Sequence, residues 1–241
     1  MLVVYGLPSC AGLRSPSPWV MKVELAMRYL RLDYRLKQPE ILQVRSKVPT
    51  SKVPCLIVDG KPIGESERIL TVIERLAAPS SYPHPFDEDQ IKGIAFVRLV
   101  EDHLFFIISK SKHLDVTASA IMWSEMLPDY SLISQWLVRK YVQRSMMRRI
   151  QCTSLCNLSE EELRAEALKD IRALSAQLSS SNFIASSSLT IYDFSVAAHI
   201  ASILYWRIDN WLTSLFTKHD IFDQYLERVA EAVGGFDYEV Q

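Results

Sequence analysis

Glycine is scarce, at 7 of 241 residues, which excludes a glycine-rich repeat and leaves little material for a long flexible linker. Cysteine is scarce too. Cys10, Cys55, Cys152 and Cys156 show neither zinc-ligand spacing nor a CxxC pair, and four thiols are too sparse to staple a chain of this length. They read as free thiols, and no metal is expected. Net charge is nearly absent, with 27 Lys plus Arg against 28 Asp plus Glu giving −1, so no overall field draws the chain onto phosphate backbones or anionic lipid. Nucleic acid is not expected as a partner. Long apolar runs are missing as well: Leu104 to Ile108 falls far short of a bilayer span, and His199 interrupts Val196 to Ile203. Residues 1 to 5 lack the basic leader and apolar core of a secretory signal. The expectation is a soluble, cytoplasmic protein without a transmembrane segment.

What is present is ordinary in bulk and specific in one place. A chain that is 49% hydrophobic and 23% charged has globular composition, and its length allows one large domain or two modest ones. The specific place is Ser51 to Ser66, SKVPCLIVDGKPIGES. Pro54 opens the apolar strand Cys55-Leu56-Ile57-Val58, where it cannot donate a ladder hydrogen bond. If the Val53-Pro54 bond is cis, the backbone of Val53 turns outward and can pair with a bound peptide. Asp59-Gly60 signals a two-residue hairpin turn, because both residues tolerate positive φ. Beyond the second strand at Pro62-Ile63, Gly64-Glu65-Ser66 leads into a helix apolar at Ile69, Leu70, Val72, Ile73 and Leu76. Glu65 and Ser66 then lie in its first turn, where free N–H groups and a hydroxyl make a natural carboxylate site.

Around that stretch, Leu2 to Tyr5 reads as a buried strand ended by Gly6 and Pro8. Ser17-Pro18 opens a helix, with Ser as N-cap, Pro in the first position and Trp19, Val20, Val23, Ala26, Met27 and Leu30 on the core face. Asp33 to Leu36 alternates as a second strand. Lys37 to Ser51 is a polar loop with little regular helix, in which Gln38, Arg45 and Lys47 are candidate ligand contacts beside the better-placed Lys52. Pro79 to Pro85 lacks periodicity and marks a domain boundary.

All that follows reads as helix. Asp87 with Gln90, Ser159 with Glu162, and Thr190 with Asp193 form capping boxes, while Ala118 to Leu127 and Leu132 to Ile150 flank Pro128-Asp129. His103 is either a satisfied interior or rim histidine, or a base. Lys140, Arg144 and Arg148 recur every four residues, a stripe that either meets an acidic substrate or partner or is simply solvated.

The succession xVP, strand, DG, strand, ES and amphipathic helix resembles the glutathione-binding half of the glutathione S-transferase superfamily. "LTIYDFSVAAHI" resembles the central helix of that superfamily's all-helical domain, so the likeness runs from residue 2 to about 232. It implies an α+β N-terminal thioredoxin-like domain (βαβ-ββα, cis-Pro) over residues 1–78, a linker over 79–87 and an all-α C-terminal domain over 88–241. It also implies that Val53, next to Pro54, pairs with the cysteinyl backbone of glutathione, and that Glu65 and Ser66 hold the γ-glutamyl end. The catalytic Ser or Cys of many relatives stands at the start of the first helix, and Ser17 is the matched position. Ser15 to Glu24 itself resembles the metaxin and failed-axon-connections branch. Trp123, Tyr130, Trp136 and Tyr141 fall where relatives build the pocket for a second substrate, and core packing explains them equally well.

Two functions follow from the resemblance. The first is a glutathione transferase in which glutathione is a cosubstrate, Ser17 activates its thiol, and the acceptor is a small hydrophobic electrophile. The second is a binding or scaffold module without catalysis. Ser17 could equally be a plain helix cap, and Cys10 either an inert loop thiol or a nucleophile for thiol–disulfide chemistry. Homodimers are usual in the superfamily.

Overall fold

The structure, a computed structural model, describes residues 1–77 and 87–235. Its first half is built on a four-stranded sheet. The apolar run Leu2–Tyr5 forms β1, Pro18–Tyr29 forms α1, and Tyr34–Lys37 returns as β2, parallel to β1 with Leu2 opposite Tyr34. The polar loop holds a 3₁₀ turn, Ile41–Gln43, and the single-turn helix α2, Val44–Lys47. Cys55–Val58 is β3, antiparallel to β1, and Lys61–Gly64 is β4, antiparallel to β3, giving the order β2-β1-β3-β4. Asp59 and Gly60 take φ of 48° and 79°, as a two-residue hairpin requires. Helix α3, Ser66–Leu76, buries Ile69, Leu70 and Ile73 against this unit. The topology is that of a thioredoxin-like domain.

The second half is helical. Helix α4 (Asp87–Arg98) runs through a π-helical stretch, Leu99–Leu104, into α5 (Phe105–His113). There follow α6 (Val116–Met126), α7 (Leu132–Ile150), α8 (Glu160–Ser180), α9 (Ile191–Leu204), α10 (Trp211–Phe216) and α11 (Ile221–Val233). Residues 79–86 of the linker expected at 79–87, and the cap expected from the side chain of Asp87, lie outside the described residues, while the backbone of Asp87 already opens α4. Among the described residues, no helix is long and apolar enough to cross a membrane, and no group of side chains is placed to hold a metal ion.

Helix α9 is the core of the molecule because it is apolar on every side: each residue from Asp193 to Ile203 is buried. Its one buried carboxylate, Asp193, accepts from the N–H and hydroxyl of Thr190, both at 2.8 Å. It also accepts from the N–H of Ile184 at 2.7 Å and the hydroxyl of Tyr225 at 2.9 Å. Burial raises the Asp193 carboxyl pKa, against the pull of these bonds. Helix α1 packs on both α3 and α9, so the helix that closes the sheet also joins the two halves.

Candidate functional site

A cleft of about 830 Å³ opens where the first domain meets α4, the π-helical stretch and α7. All six site residues expected from the sequence, Ser17, Lys52, Val53, Pro54, Glu65 and Ser66, line it. The elements explain the convergence. The amino end of α1, the segment before β3 and the amino end of α3 all open into the cleft, with β3 hydrogen-bonded to β1, the strand that leads into α1, and α3 packed on α1. The Val53-Pro54 bond is cis.

Glu65 is the N-cap of α3 at φ 63°, ψ 118°, a conformation that costs a non-glycine residue about 1–3 kcal/mol. Its side chain makes no capping bond, and the first helical bond, from Ile69 N–H to the Glu65 carbonyl, leaves the earlier N–H groups of the turn to other acceptors. The amino end of α3 therefore faces the cleft with free donors beside the buried Ser66.

Ser17 departs from expectation in an informative way. It is the N-cap of α1, with Pro18 following, yet its hydroxyl does not bond to the helix. The N–H of Val20, which a capping hydroxyl would take, already donates to Ser17's own carbonyl at 3.0 Å, as does that of Met21 at 3.1 Å. The hydroxyl is left to the cleft.

The far wall comes from residues that sequence patterns did not single out: Arg98, Glu101, Ser145 and Arg149, with Trp19 beside Ser17. Glu101 lies 2.6 Å from the Nζ of Lys22, with side-chain exposures of 8% and 1%, and accepts from the Ser195 hydroxyl at 2.6 Å. Burial alone would raise the Glu101 carboxyl, but Lys22 and the bonds from Lys22 and Ser195 outweigh it and hold the pKa below the usual range. Arg98 of α4 reaches Glu67 of α3 at 3.2 Å, and the Arg149 guanidinium stands 5.5 Å from the centre of the Phe105 ring. Lys22 was the available signal, a charge set between Val20, Met21 and Val23 on α1 that, once buried, required a partner.

Several expected contributors are elsewhere. Trp123 is core, Tyr130 bonds Glu40 at 2.9 Å, and Trp136 and Tyr141 line a separate groove, because α7 turns that side away from the cleft. Gln38 ties the carbonyls of Leu7 and Arg14 together, both at 2.7 Å, and neither Arg45 nor Lys47 lines the cleft.

The sequence comparisons fall on the same residues. Residues 15–81 match the family described as glutathione S-transferase, N-terminal domain. Over 95% of its length the chain is 25% identical to 98% of the isoprene-epoxide–glutathione S-transferase of Rhodococcus sp. strain AD45. The chain is thus similar to glutathione S-transferases, by its residues 15–81 to the family's N-terminal domain and over its length to one of its members. The fold is shared with the beta-etherase LigF of Sphingobium sp. strain SYK-6, at TM-score 0.66 and 17% identity over 97% of each chain. It is shared also with the Bombyx mori glutathione transferase BmGSTD1, at TM-score 0.61 and 15% identity over 98% of this chain and 90% of that one.

Within this glutathione S-transferase fold, two further candidates resolve as structural. His103 Nδ1 is 2.7 Å from Asp170, an ion pair that raises its pKa. Cys10 is buried with its thiol directed to the Met122 carbonyl at 3.7 Å, and burial, then Glu125, pushes its pKa up to about 12. A buried thiol held protonated in this way is a poor nucleophile for thiol–disulfide exchange.

Proposed function

We propose that the protein binds glutathione in this cleft and transfers its thiol to a small hydrophobic electrophile. Residues 1–78 are the glutathione-binding domain, 79–87 the linker and 88–241 the helical domain that closes the cleft. The observation that carries the reading is the convergence of an unengaged Ser17 hydroxyl and the uncapped amino end of α3 on one cavity. The γ-glutamyl carboxylate would meet the free N–H groups of α3 and the Ser66 hydroxyl, and its ammonium the Glu65 carboxylate. Val53 would pair with the cysteinyl backbone, and Lys52 would face a carboxylate at the rim.

A thiol of pKa about 8.5 becomes half ionised near neutral pH once the thiolate is favoured by roughly 2 kcal/mol. A hydroxyl hydrogen bond to an ion supplies about 1.5–3 kcal/mol. Ser17 has the position and the free proton to make it, and the ionised Glu101 opposes it little because Lys22 neutralises its charge at 2.6 Å. The thiol proton leaves to solvent, the sulfur forms a bond to the electrophilic carbon, and the leaving group departs with the electron pair of the bond it breaks. Glutathione is a cosubstrate here, not a resident cofactor. A cytoplasmic setting suits four free cysteines, and homodimerisation belongs to the same reading.

A second reading, a binding module without turnover, rests on Ser17-Pro18-Trp19 standing where cysteine-type relatives carry Cys-Pro-aromatic, in a segment similar to the metaxin and failed-axon-connections branch. Calorimetric titration with glutathione, followed by a conjugation assay with a general electrophile, separates the two. Ser66→Ala is expected to weaken glutathione binding, and Ser17→Ala to lower kcat/KM by about 10- to 100-fold while leaving stability unchanged. Binding without turnover selects the module, and full activity in Ser17→Ala removes Ser17 from its role.

A further inference from the structure

Helix α7 has a face that the fold does not use. Of its 19 residues only Ile150 is buried. Leu132, Ile133, Trp136, Leu137 and Tyr141 each keep more than half of their surface in solvent. Ile133, Leu137 and Tyr141 follow one another at i, i+4 spacing, and Arg144 and Arg148 continue the same side. The outer face is thus apolar and aromatic over its first half and cationic over its second.

The charge on this helix is one-sided. It carries Arg139, Lys140, Arg144, Arg148 and Arg149 and not one Asp or Glu. Lys140, Arg144 and Arg148 form no ion pair among the described residues, and they border a groove of about 780 Å³ walled by Leu114, Trp136, Leu137 and Met147. The net charge of −1 for the whole chain conceals this local imbalance.

We propose that the outer face of α7 docks the protein on an anionic membrane surface. Ile133, Trp136 and Leu137 enter the interfacial layer, and Lys140, Arg144 and Arg148 meet lipid phosphates. Apolar and aromatic groups beside unpaired cations, on a helix about 28 Å long, complement an interface that is apolar within and negatively charged at its surface. The helix lies on the membrane and does not cross it. A second copy placed face to face through α7 offers no Asp or Glu on that helix to pair with these cations.

Flotation of the full chain with phosphatidylcholine vesicles, with and without phosphatidylserine, tests the proposal. Recovery is expected with the serine-containing vesicles, with release at high salt and a blue shift of tryptophan emission that Trp136→Phe abolishes. Each cation near the surface is worth about fivefold in partitioning, so Arg144→Gln with Arg148→Gln lowers it roughly thirtyfold. Ile133→Ser with Leu137→Ser weakens binding at low salt as well, and both double variants keep the wild-type circular dichroism. Equal recovery with neutral vesicles, or none with either, overturns the proposal. So does a dimer in sedimentation equilibrium that Leu137→Ser dissociates while vesicles are ignored, which assigns the face to a second copy. Capture by polyglutamate without vesicle binding overturns it in favour of an acidic protein partner.

Discussion

His199 shows how one buried side chain sets a pH dependence. Its Nδ1 lies 2.8 Å from the Ser195 carbonyl, an atom that only accepts, so Nδ1 carries the proton. Nε2 is then a lone pair without a partner in a fully buried position, edge-on to Trp19 at 5.6 Å. Charging the ring inside α9 is unfavourable, and burial pushes its pKa down to about 4, against the upward pull of Glu101. In the unfolded chain the same group titrates near 6.5. Between these values the unfolded state binds a proton that the native state refuses, so this contribution is present above pH 6.5 and lost as pH falls toward 4. At pH 5 the loss is about 2 kcal/mol. His103 works in the opposite sense, since Asp170 raises its pKa: its contribution is present below pH 6.5 and lost as pH rises through the raised value. Urea unfolding at pH 7 and pH 5 measures the difference. His199→Gln is expected to lose about 2 kcal/mol less than wild type over that interval, and an identical pH dependence in the two proteins excludes His199 as the source.

At the scale of elements, the crossing of α4 on α9 depends on a missing Cβ. Gly93 is buried, and a Cβ there would lie 2.1 Å from Cδ2 and 2.3 Å from Cγ of Tyr192, ring atoms near the stem that cannot swing aside cheaply. Glycine is retained although alanine would favour the helix by about 1 kcal/mol. Gly93→Ala is expected to destabilise by about 1–3 kcal/mol, and adding Tyr192→Ala to recover part of that loss in thermal unfolding; a stabilised single variant contradicts the contact. Elements with local signals were legible in the sequence. Pro54, Asp59-Gly60 and Ser66 bracket β3, β4 and α3 to within a residue or so, and Thr190 with Asp193 marks the start of α9. The near half of the site was legible for the same reason. The π-helical stretch from Leu99 to Leu104 has no local signature, since apolar spacing does not distinguish an i+5 turn from an i+4 one. The far wall was illegible because Glu101 meets Lys22 across 79 residues of chain. Trp136 and Tyr141 illustrate the remaining gap: periodicity puts them on one side of α7, but only the packing of α5 and α6 decides which side faces out.

Across the whole molecule, the two domains are held by contacts that neither could make alone. The loop before α1 is clasped from the helical side, where Glu125 accepts the N–H of Ala11 and the N–H of Arg207 donates to the Ala11 carbonyl at 2.9 Å. Beneath it, Lys22 of α1 and Glu101 of the π-helical stretch form an almost fully buried pair across the interface. Such a pair is stabilised less by its own attraction than it is protected by the cost of breaking it, because either charge left alone stays out of water. Lys22→Met is expected to lose about 3–5 kcal/mol, with Glu101 stranded beside Ser195, whereas Lys22→Met combined with Glu101→Leu should recover most of that stability. The cycle is read by urea unfolding followed with both circular dichroism and tryptophan fluorescence, which should give coincident transitions if the domains unfold together. Additive losses in the double variant would show that the two charges act independently. The same variants connect stability to the cleft: without Lys22, burial raises the Glu101 carboxyl pKa, so on the proposed reading glutathione bound to Lys22→Met should show a raised thiol pKa only where the pH is high enough to ionise Glu101, and the lower value again when Glu101→Leu removes that charge.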